Sequence, residues 1–271
     1  MQVSSSVSGG LSVSDGNVGP SHSNTSVRNS SMVATSQSEI TTSWVKKAEL
    51  SEARRSVSCI QFAPKHLGLM IATGSADGSV RIYEAIDVMN LNHWPSKGII
   101  EFPFVDKKSS ELGVTSLSWC TGRFEPPTLV VGGGNGSVLV YRYSDDSRIW
   151  NLAVELKSHS KGVLDVSWAA NVGRSYHLIA STGMDGKTMV HRLKRGKKEN
   201  GEHFLELGST QEINSSPSSS GVWRCRWNVT GTVLATSGDF GEVKLWKNDI
   251  RNHEWKCVSE VVGGELDGNT T

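Results

Sequence analysis

One sequence template recurs four times along the chain, and it constrains the fold more than any other feature. In its last copy, Gly221 to Lys247, apolar residues alternate, run together for three residues and then alternate again. Alternation with a period of two over short segments is typical of β-strands. An acid followed closely by a glycine, Asp239 and Gly241, indicates a tight hairpin, because glycine accepts positive φ without a Cβ clash. Each copy therefore predicts an antiparallel meander of three strands.

The copies align on their turn glycines and on recurring tryptophans. The aligned glycines are Gly78, Gly136, Gly186 and Gly241, spaced by 58, 50 and 55 residues. The recurring tryptophans, interpreted as core, are Trp119, Trp168, Trp227 and Trp246. This period, with a turn glycine and an aromatic residue in each copy, is typical of a WD40 β-propeller. Fourth, outer strands are expected at Gly98 to Val105, Ile149 to Leu156, His203 to Leu207 and Glu254 to Val261.

The repeat region has boundaries that composition predicts. Residues 1–42 are rich in serine and contain no aromatic residue, so they cannot bury enough apolar area to offset ordering entropy and are predicted to be a disordered leader. Residues 43–262 are predicted to form a partial WD40 β-propeller, and residues 263–271 a disordered tail. Ser43 to Leu50 alternates like a strand and predicts an orphan outer strand of a preceding blade.

The predicted fold is thus all-β: an open and partial WD40 β-propeller with four recognisable blades plus one orphan outer strand. An open arc leaves strand edges and sheet faces uncovered at both ends. Closed propellers avoid this with four to eight blades. We therefore expect either that another polypeptide completes the arc or that part of the natural N-terminus is missing.

Several residues are predicted to have structural roles in the turns. Asp77, Asp185 and Asp239 precede the turn glycines. In WD repeats, His159, Asp185 and Ser181 correspond to a hydrogen-bond network that joins the loop before the first strand to the turn between the second and third strands. His191 replaces the usual tryptophan partner, so we expect this network to be incomplete. The same trio could also serve catalysis, which we consider the weaker interpretation.

No catalytic, cofactor-binding or metal-binding residues are predicted. Ser181 to Thr188 resembles a phosphate-binding loop but continues as a strand, whereas that loop needs a following helix. The triplet at 132–134 aligns with hairpin turns in the other copies. The four isolated cysteines are interpreted as small buried hydrophobes rather than disulfide or metal ligands; they are Cys59, Cys120, Cys225 and Cys257.

Charge and aromatic placement bear on possible partners. The formal net charge is only +1, which argues against direct nucleic-acid binding and against a membrane surface, and no apolar run is long enough for a transmembrane segment. The basic cluster Leu193 to Lys198 is interpreted as a solvated inter-strand loop, with a nuclear import signal or a contact for an acidic patch as alternatives. Four tryptophans outside the repeat pattern are candidates for rim or partner contacts: Trp44, Trp94, Trp150 and Trp255.

Three stretches carry a more specific resemblance. Phe62 to Trp94, Asn171 to Ala180 and Gly221 to Lys247 resemble the Seh-type WD40-repeat nucleoporins, which are related to the Sec-thirteen coat protein. The K-H-L-G-L-M and D-V-M-N-L segments within the first stretch are not demanded by propeller geometry. The resemblance covers roughly Ser43 to Val261, and the family would have about two more N-terminal blades.

The resemblance implies a non-catalytic scaffold subunit of the Y-shaped complex in the nuclear pore outer ring, located at the nuclear envelope and supporting transport of protein and mRNA. It implies an α-solenoid nucleoporin partner that completes a blade, and a second role in SEA/GATOR assemblies that regulate TOR at lysosomal or vacuolar membranes. The alternative is a WD40 substrate adaptor of a ubiquitin ligase or signalling complex, which the same fold also supports. A propeller hydrolase would require acids or histidines clustered at the central channel, and the sequence predicts no such cluster.

Overall fold

The computed structural model describes residues 44–103, 113–157, 159–197, 203–214, 220–249, 251–252 and 254–262. In these residues sixteen strands form four antiparallel sheets of four strands each, and one short 3-10 helix spans Lys65–Leu67. All four sheets lie within one compact unit, Lys46–Thr271. Of the other unit, Met1–Val45, only Trp44 and Val45 are described, and both lack regular secondary structure.

Each sheet is a meander in chain order, which we call a blade. Blade 1 contains β1 (Val57–Phe62), β2 (Met70–Ser75), β3 (Ser79–Glu84) and β4 (Ser96–Glu101). Blade 2 contains β5 (Val114–Trp119), β6 (Thr128–Gly133), β7 (Val138–Ser144) and β8 (Ile149–Glu155). Blade 3 contains β9 (Val163–Trp168), β10 (Tyr176–Gly183), β11 (Lys187–Lys197) and β12 (His203–Asn214). Blade 4 contains β13 (Val222–Trp227), β14 (Val233–Gly238), β15 (Glu242–Asp249) and β16 (Glu254–Val262).

The blades pack face to face through three apolar clusters, one between each consecutive pair. Along β6, Leu129 and Val131 belong to the cluster with blade 1, whereas Val130 between them belongs to the cluster with blade 3. Since successive residues of a strand point to opposite faces, a strand covered on both sides reads as a continuous apolar run. The predicted open and partial propeller of four blades is confirmed.

Hydrogen bonds between blades provide acceptors for backbone N–H groups at the free edges of the inner strands of blades 2, 3 and 4. In each case a backbone N–H of one inner strand donates to a side chain on the inner strand of the preceding blade. The four bonds are Trp119 to Gln61 Oε1 (3.1 Å), Val166 to Ser116 Oγ (3.1 Å), Trp168 to Ser118 Oγ (3.0 Å) and Cys225 to Asp165 Oδ2 (3.0 Å). Side chains of one blade therefore pair the edge of the next, which fixes the angle between blades as well as their packing.

The orphan outer strand is not formed. Residues 44–50 carry no strand in the structure and pair with none of the four described sheets. Alternating sequence alone cannot supply the hydrogen-bond partners that make a strand. The predicted leader at 1–42 and tail at 263–271 lie outside the described residues, as do Ser43 and the last two residues of the outer strand expected to end at Val105.

The basic cluster is also not a loop. Leu193 to Lys197 continues β11, which pairs with β12 up to His203, and Lys198 lies outside the described residues. Leu193 is fully buried between blades 2 and 3. The prediction was wrong because the unusually long partner strand extends the ladder through a polar sequence, and pairing overrides the weak strand propensity of lysine.

Candidate functional site

The acids of three turns hold the segment that leads into their own blade. The bonds run from the backbone N–H of Arg54 to Asp77 (2.9 Å), of Ser160 to Asp185 (3.0 Å) and of Gly221 to Asp239 (2.7 Å). The glycines after these acids have positive φ, namely Gly78 at 83°, Gly186 at 73° and Gly241 at 68°. In blade 2, Asn135 precedes Gly136 (φ 87°) and donates instead to the carbonyl of Pro103 at 3.3 Å. In blades 1, 3 and 4 the turn acid therefore ties the segment before the first strand to the second hairpin.

Asp77 is held as a carboxylate by its surroundings. Burial raises its pKa, but Arg81, whose guanidinium lies 3.0 Å away, and the N–H groups of Arg54 and Ser79 outweigh burial. Together they lower the pKa of Asp77 to about 2. Asp77 therefore stays ionised and bonded across the physiological range.

A buried chain of polar side chains crosses blade 3. Asp185 Oδ1 lies 3.0 Å from His159 Nδ1, and His159 Nε2 lies 2.9 Å from Ser181 Oγ. Ser181 Oγ in turn lies 3.0 Å from His191 Nε2, and His191 Nδ1 lies 3.0 Å from Thr210 Oγ1. The expectation of an incomplete network was wrong: His191 takes the place of the tryptophan and extends the chain to the outer strand, because imidazole has polar atoms at both ends.

The chain of polar side chains lacks the access that catalysis needs. Ser181 and His191 are fully buried and His159 is 4% exposed. The Ser181 hydroxyl is shared between two imidazoles, so a substrate cannot approach it without unfolding the blade. We interpret the Asp185, His159 and Ser181 arrangement as a structural network.

His191 gives the fold a testable pH dependence. Burial lowers the pKa of His191 from 6.5 to about 3. The unfolded state therefore binds a proton that the folded state rejects, and the free energy of unfolding is expected to fall as pH drops below 6.5. The slope from this group reaches about 1.4 kcal/mol per pH unit.

His191→Gln removes that titration while keeping a polar side chain. We expect it to be less stable than the wild type at pH 7, but to lose less further stability between about pH 6.5 and 5, above the range where carboxylates titrate. Urea unfolding at a series of pH values measures both slopes. Parallel slopes for the two proteins would show that His191 is protonated in the folded state.

The division of the tryptophans into core and rim residues differs from the prediction. Trp119, Trp168 and Trp246 are buried and Trp227 is half-buried. Of the four assigned to the rim, Trp150 packs edge-on against Trp119 at 6.0 Å between ring centroids. Trp255 is buried against Trp227 at 5.3 Å. Trp150 and Trp255 therefore belong to the core, because outer strands also contribute to the packing between blades.

Each end blade presents exposed apolar side chains on the side that faces away from the neighbouring blade. In blade 1, Ile60, Phe62 and Ile99 are 63%, 60% and 54% exposed, and we call them the blade 1 open face. The register places them on one side of the sheet, since Ile60 and Ile99 lie in one row of paired residues. In blade 4, Val243 opposes Val261, and they are 40% and 59% exposed. Exposed apolar faces of this kind mark interaction surfaces.

Trp94 and Trp44 remain candidates for partner contact. Trp94 lies beside the blade 1 open face, with its ring 6.4 Å from that of Phe62 and its Nε1 donating to the Leu91 carbonyl at 2.9 Å. The Trp44 side chain is fully exposed.

Three further features of the described part of the chain concern metal ligands, membrane-spanning helices and cysteines. No three His, Cys, Asp or Glu side chains there are grouped to hold a metal ion. No helix there is long and apolar enough to cross a membrane. Cys120 and Cys225 are buried and Cys59 half-buried, and burial raises the pKa of the Cys120 thiol to about 12. Cys257 is exposed, contrary to the prediction, because it lies on the outer strand of the last blade.

Comparison with known proteins shows which proteins these repeats resemble. Residues 44–84 match the family model "WD domain, G-beta repeat". The chain is 39% identical over 236 residues to Nucleoporin SEH1-A of Xenopus laevis, covering 83% of this chain and 62% of the relative. It is 38% identical over 232 residues to Nucleoporin SEH1 of Homo sapiens, covering 81% and 61% respectively. The chain therefore resembles the Seh-type WD40-repeat nucleoporins over four fifths of its own length. It spans less than two thirds of the length of these relatives.

The repeat pattern did not predict the roles of two buried carboxylates, Asp165 and Glu125. Asp165 accepts hydrogen bonds from Ser116 Oγ (2.8 Å), the Cys225 N–H (3.0 Å) and Arg226 Nη1 (2.6 Å) and so joins three blades. Its only sequence signal is an acid between Val163 and Trp168, inside an otherwise apolar strand.

The second carboxylate, Glu125, lies in the loop between β5 and β6. It bonds to Arg142 and lies 3.4 Å from His177 and 3.2 Å from Arg195. His177 and the two arginines lower the pKa of Glu125. The members of this cluster come from separate elements of two blades, so no spacing in the sequence could predict it.

Proposed function

We propose that this chain is a non-catalytic scaffold subunit of the nuclear pore outer ring, within the Y-shaped complex at the nuclear envelope, and that it supports transport of protein and mRNA there. The observation that carries the proposal is the 36–39% identity to nucleoporins SEH1 over four fifths of the chain. The buried state of the Asp185, His159 and Ser181 network supports a structural rather than an enzymatic role.

The blade 1 open face is the proposed binding surface for an α-solenoid nucleoporin, which would add strands that complete a blade. Ile60 and Phe62 stand on β1 at the positions that, on β9, donate backbone hydrogen bonds to blade 2. An added blade would supply such acceptors, as strand addition to an open sheet does. Covering the three exposed apolar side chains would contribute roughly 1 kcal/mol each.

A charge placed on this face tests the proposal. Phe62→Asp is expected to reduce co-purification of the solenoid nucleoporin with the tagged chain at least about tenfold, because the carboxylate would be buried without a partner. Phe124→Asp is the matched control, since Phe124 is 93% exposed in the loop between β5 and β6, away from this face. It should retain the partner.

The same purification separates the alternatives. Equal recovery of the solenoid nucleoporin with both variants would reject the blade 1 open face as its binding site. SEA/GATOR subunits lost with Phe62→Asp would extend the proposal to a TOR-regulating assembly at lysosomal or vacuolar membranes. Ubiquitin-ligase subunits in place of pore subunits would overturn the scaffold role.

A further inference from the structure

A cleft of about 310 Å³ opens between blades 3 and 4, far in sequence from the blade 1 open face. Its apolar part is formed by Leu178 and Val190 of blade 3 and Trp255 of blade 4, which are 6%, 3% and 8% exposed. Tyr176, half-buried, stands beside them. This volume is at the lower end of ligand-binding pockets and fits one or two side chains rather than a whole cofactor.

The walls of the cleft are positively charged. Arg174, Arg192 and Lys247 line it, and no acidic residue is among its described lining residues. The remaining polar lining is neutral, including Ser209 and Gln211 on the outer strand. The near-neutral chain therefore places the guanidinium groups of Arg174 and Arg192 beside one apolar floor, which attracts a carboxylate-bearing partner.

Both arginines are held in place before any ligand arrives. The Arg192 guanidinium lies over the Tyr176 ring at 3.9 Å from its centroid, and Arg174 lies at 5.8 Å. Arg174 Nη1 also donates to the carbonyl of Gly231 at 2.6 Å. Such fixed guanidinium groups lose little conformational entropy when they bind an anion.

Two donors in these walls lack an acceptor. The Nε atoms of Arg174 and Arg192 are buried and have no hydrogen-bond partner among the described residues. Buried donors without a partner are rare in folded proteins and costly. Hydrogen bonding in the cleft wall is therefore incomplete among the described residues.

We propose that the cleft between blades 3 and 4 binds a linear acidic peptide, in which a carboxylate stands next to an aliphatic or aromatic side chain. The apolar side chain packs on Leu178, Val190 and Trp255, and the carboxylate pairs with Arg192. A concave site with an apolar floor favours a peptide over a flat lipid surface, which cannot reach into a cleft. The cleft is a separate site from the blade 1 open face. The peptide proposal does not depend on the function proposed for that face.

A displayed library of random peptides, selected on the purified full chain, tests the proposal directly. Enriched peptides are expected to combine Asp or Glu with neighbouring apolar residues. A fluorescein-labelled copy of an enriched peptide should bind with an affinity that falls as salt rises from about 0.05 to 0.5 M, because screening weakens charge pairing. The same peptide with amides in place of its carboxylates should bind at least about tenfold more weakly.

Charge reversal on the protein locates the site. Arg192→Glu, on β11 in the wall of the cleft, is expected to weaken binding of the labelled peptide at least about tenfold. Lys161→Glu is the control, since Lys161 is exposed on blade 3 outside the cleft, and its affinity should stay within about twofold of the wild type. Thermal melts of both variants establish that they are folded.

Three outcomes would overturn the proposal. The first is a library that enriches no acidic peptides. The second is an enriched peptide that binds Arg192→Glu as tightly as Lys161→Glu. The third is binding of phosphatidylserine vesicles that Arg192→Glu abolishes while no peptide binds, which would make the cleft a lipid-headgroup site.

Discussion

Replacing Asp165 with alanine is expected to lower the free energy of unfolding by about 3 kcal/mol. The carboxylate is 1% exposed and accepts from the Ser116 hydroxyl and the Cys225 backbone N–H. Each of these donors would be left buried without its partner, at a cost of roughly 1 to 3 kcal/mol. The bond to Arg226 adds little, because that side chain is 60% exposed and solvent replaces the carboxylate.

Equilibrium urea unfolding, followed by tryptophan fluorescence, measures the loss. Asp146→Ala is the matched control, since Asp146 is exposed in the turn between β7 and β8, and it should change stability by less than about 0.5 kcal/mol. Asp165→Asn should fall between the two, because an amide oxygen can still accept one bond. A loss below about 1 kcal/mol for Asp165→Ala would mean that the links between blades do not depend on this carboxylate.

Gly136→Ala is expected to destabilise the fold by roughly 3 kcal/mol. Gly136 has a φ of 87°, and a Cβ there would stand 2.4 Å from the His159 carbonyl oxygen and 2.8 Å from that of Lys161. Both obstacles are backbone atoms of the segment that leads into blade 3, so they cannot move aside like a flexible side chain. Positive φ and a forced shift of blade 3 therefore act together.

Gly241→Ala is the informative comparison. Gly241 has a similar φ of 68°, but a Cβ would meet nothing within 4 Å. Its cost should therefore be the backbone strain alone, roughly 1 to 2 kcal/mol. Thermal and urea unfolding of the two variants give the difference. Equal losses would show that the contact between blade 2 and blade 3 at Gly136 relaxes without cost.

Gly136 and Gly241 also show what the repeat sequence does not predict. Gly136 and Gly241 align as the same turn position, and the repeat template correctly implies that both require positive φ. The template does not say what stands beside each turn. Within the described residues, another blade follows the turn at Gly136 and none follows the turn at Gly241. This difference in neighbours explains why the expected losses of stability differ.

The same limit explains the aromatic and basic residues. Trp119 and Trp168 recur in register, so their burial follows from the repeat. Trp150 and Trp255 lie on outer strands outside the repeat pattern, and only the packing between blades shows that they are core. The polar continuation of β11 to Lys197 depends on its pairing with β12, a partner that local composition does not reveal.

The sequence by itself determined the four blades, their strand order and their turn glycines, because alternation and positive φ are local properties that one segment carries alone. Only the tertiary structure decided the contacts between blades. It joined Asp165 to its donors, completed the chain from Asp185 to Thr210 through His191, and placed Arg174, Arg192 and Lys247 around one cleft. These arrangements unite residues tens of positions apart, and their energies depend on distance and burial, which no period in the sequence encodes.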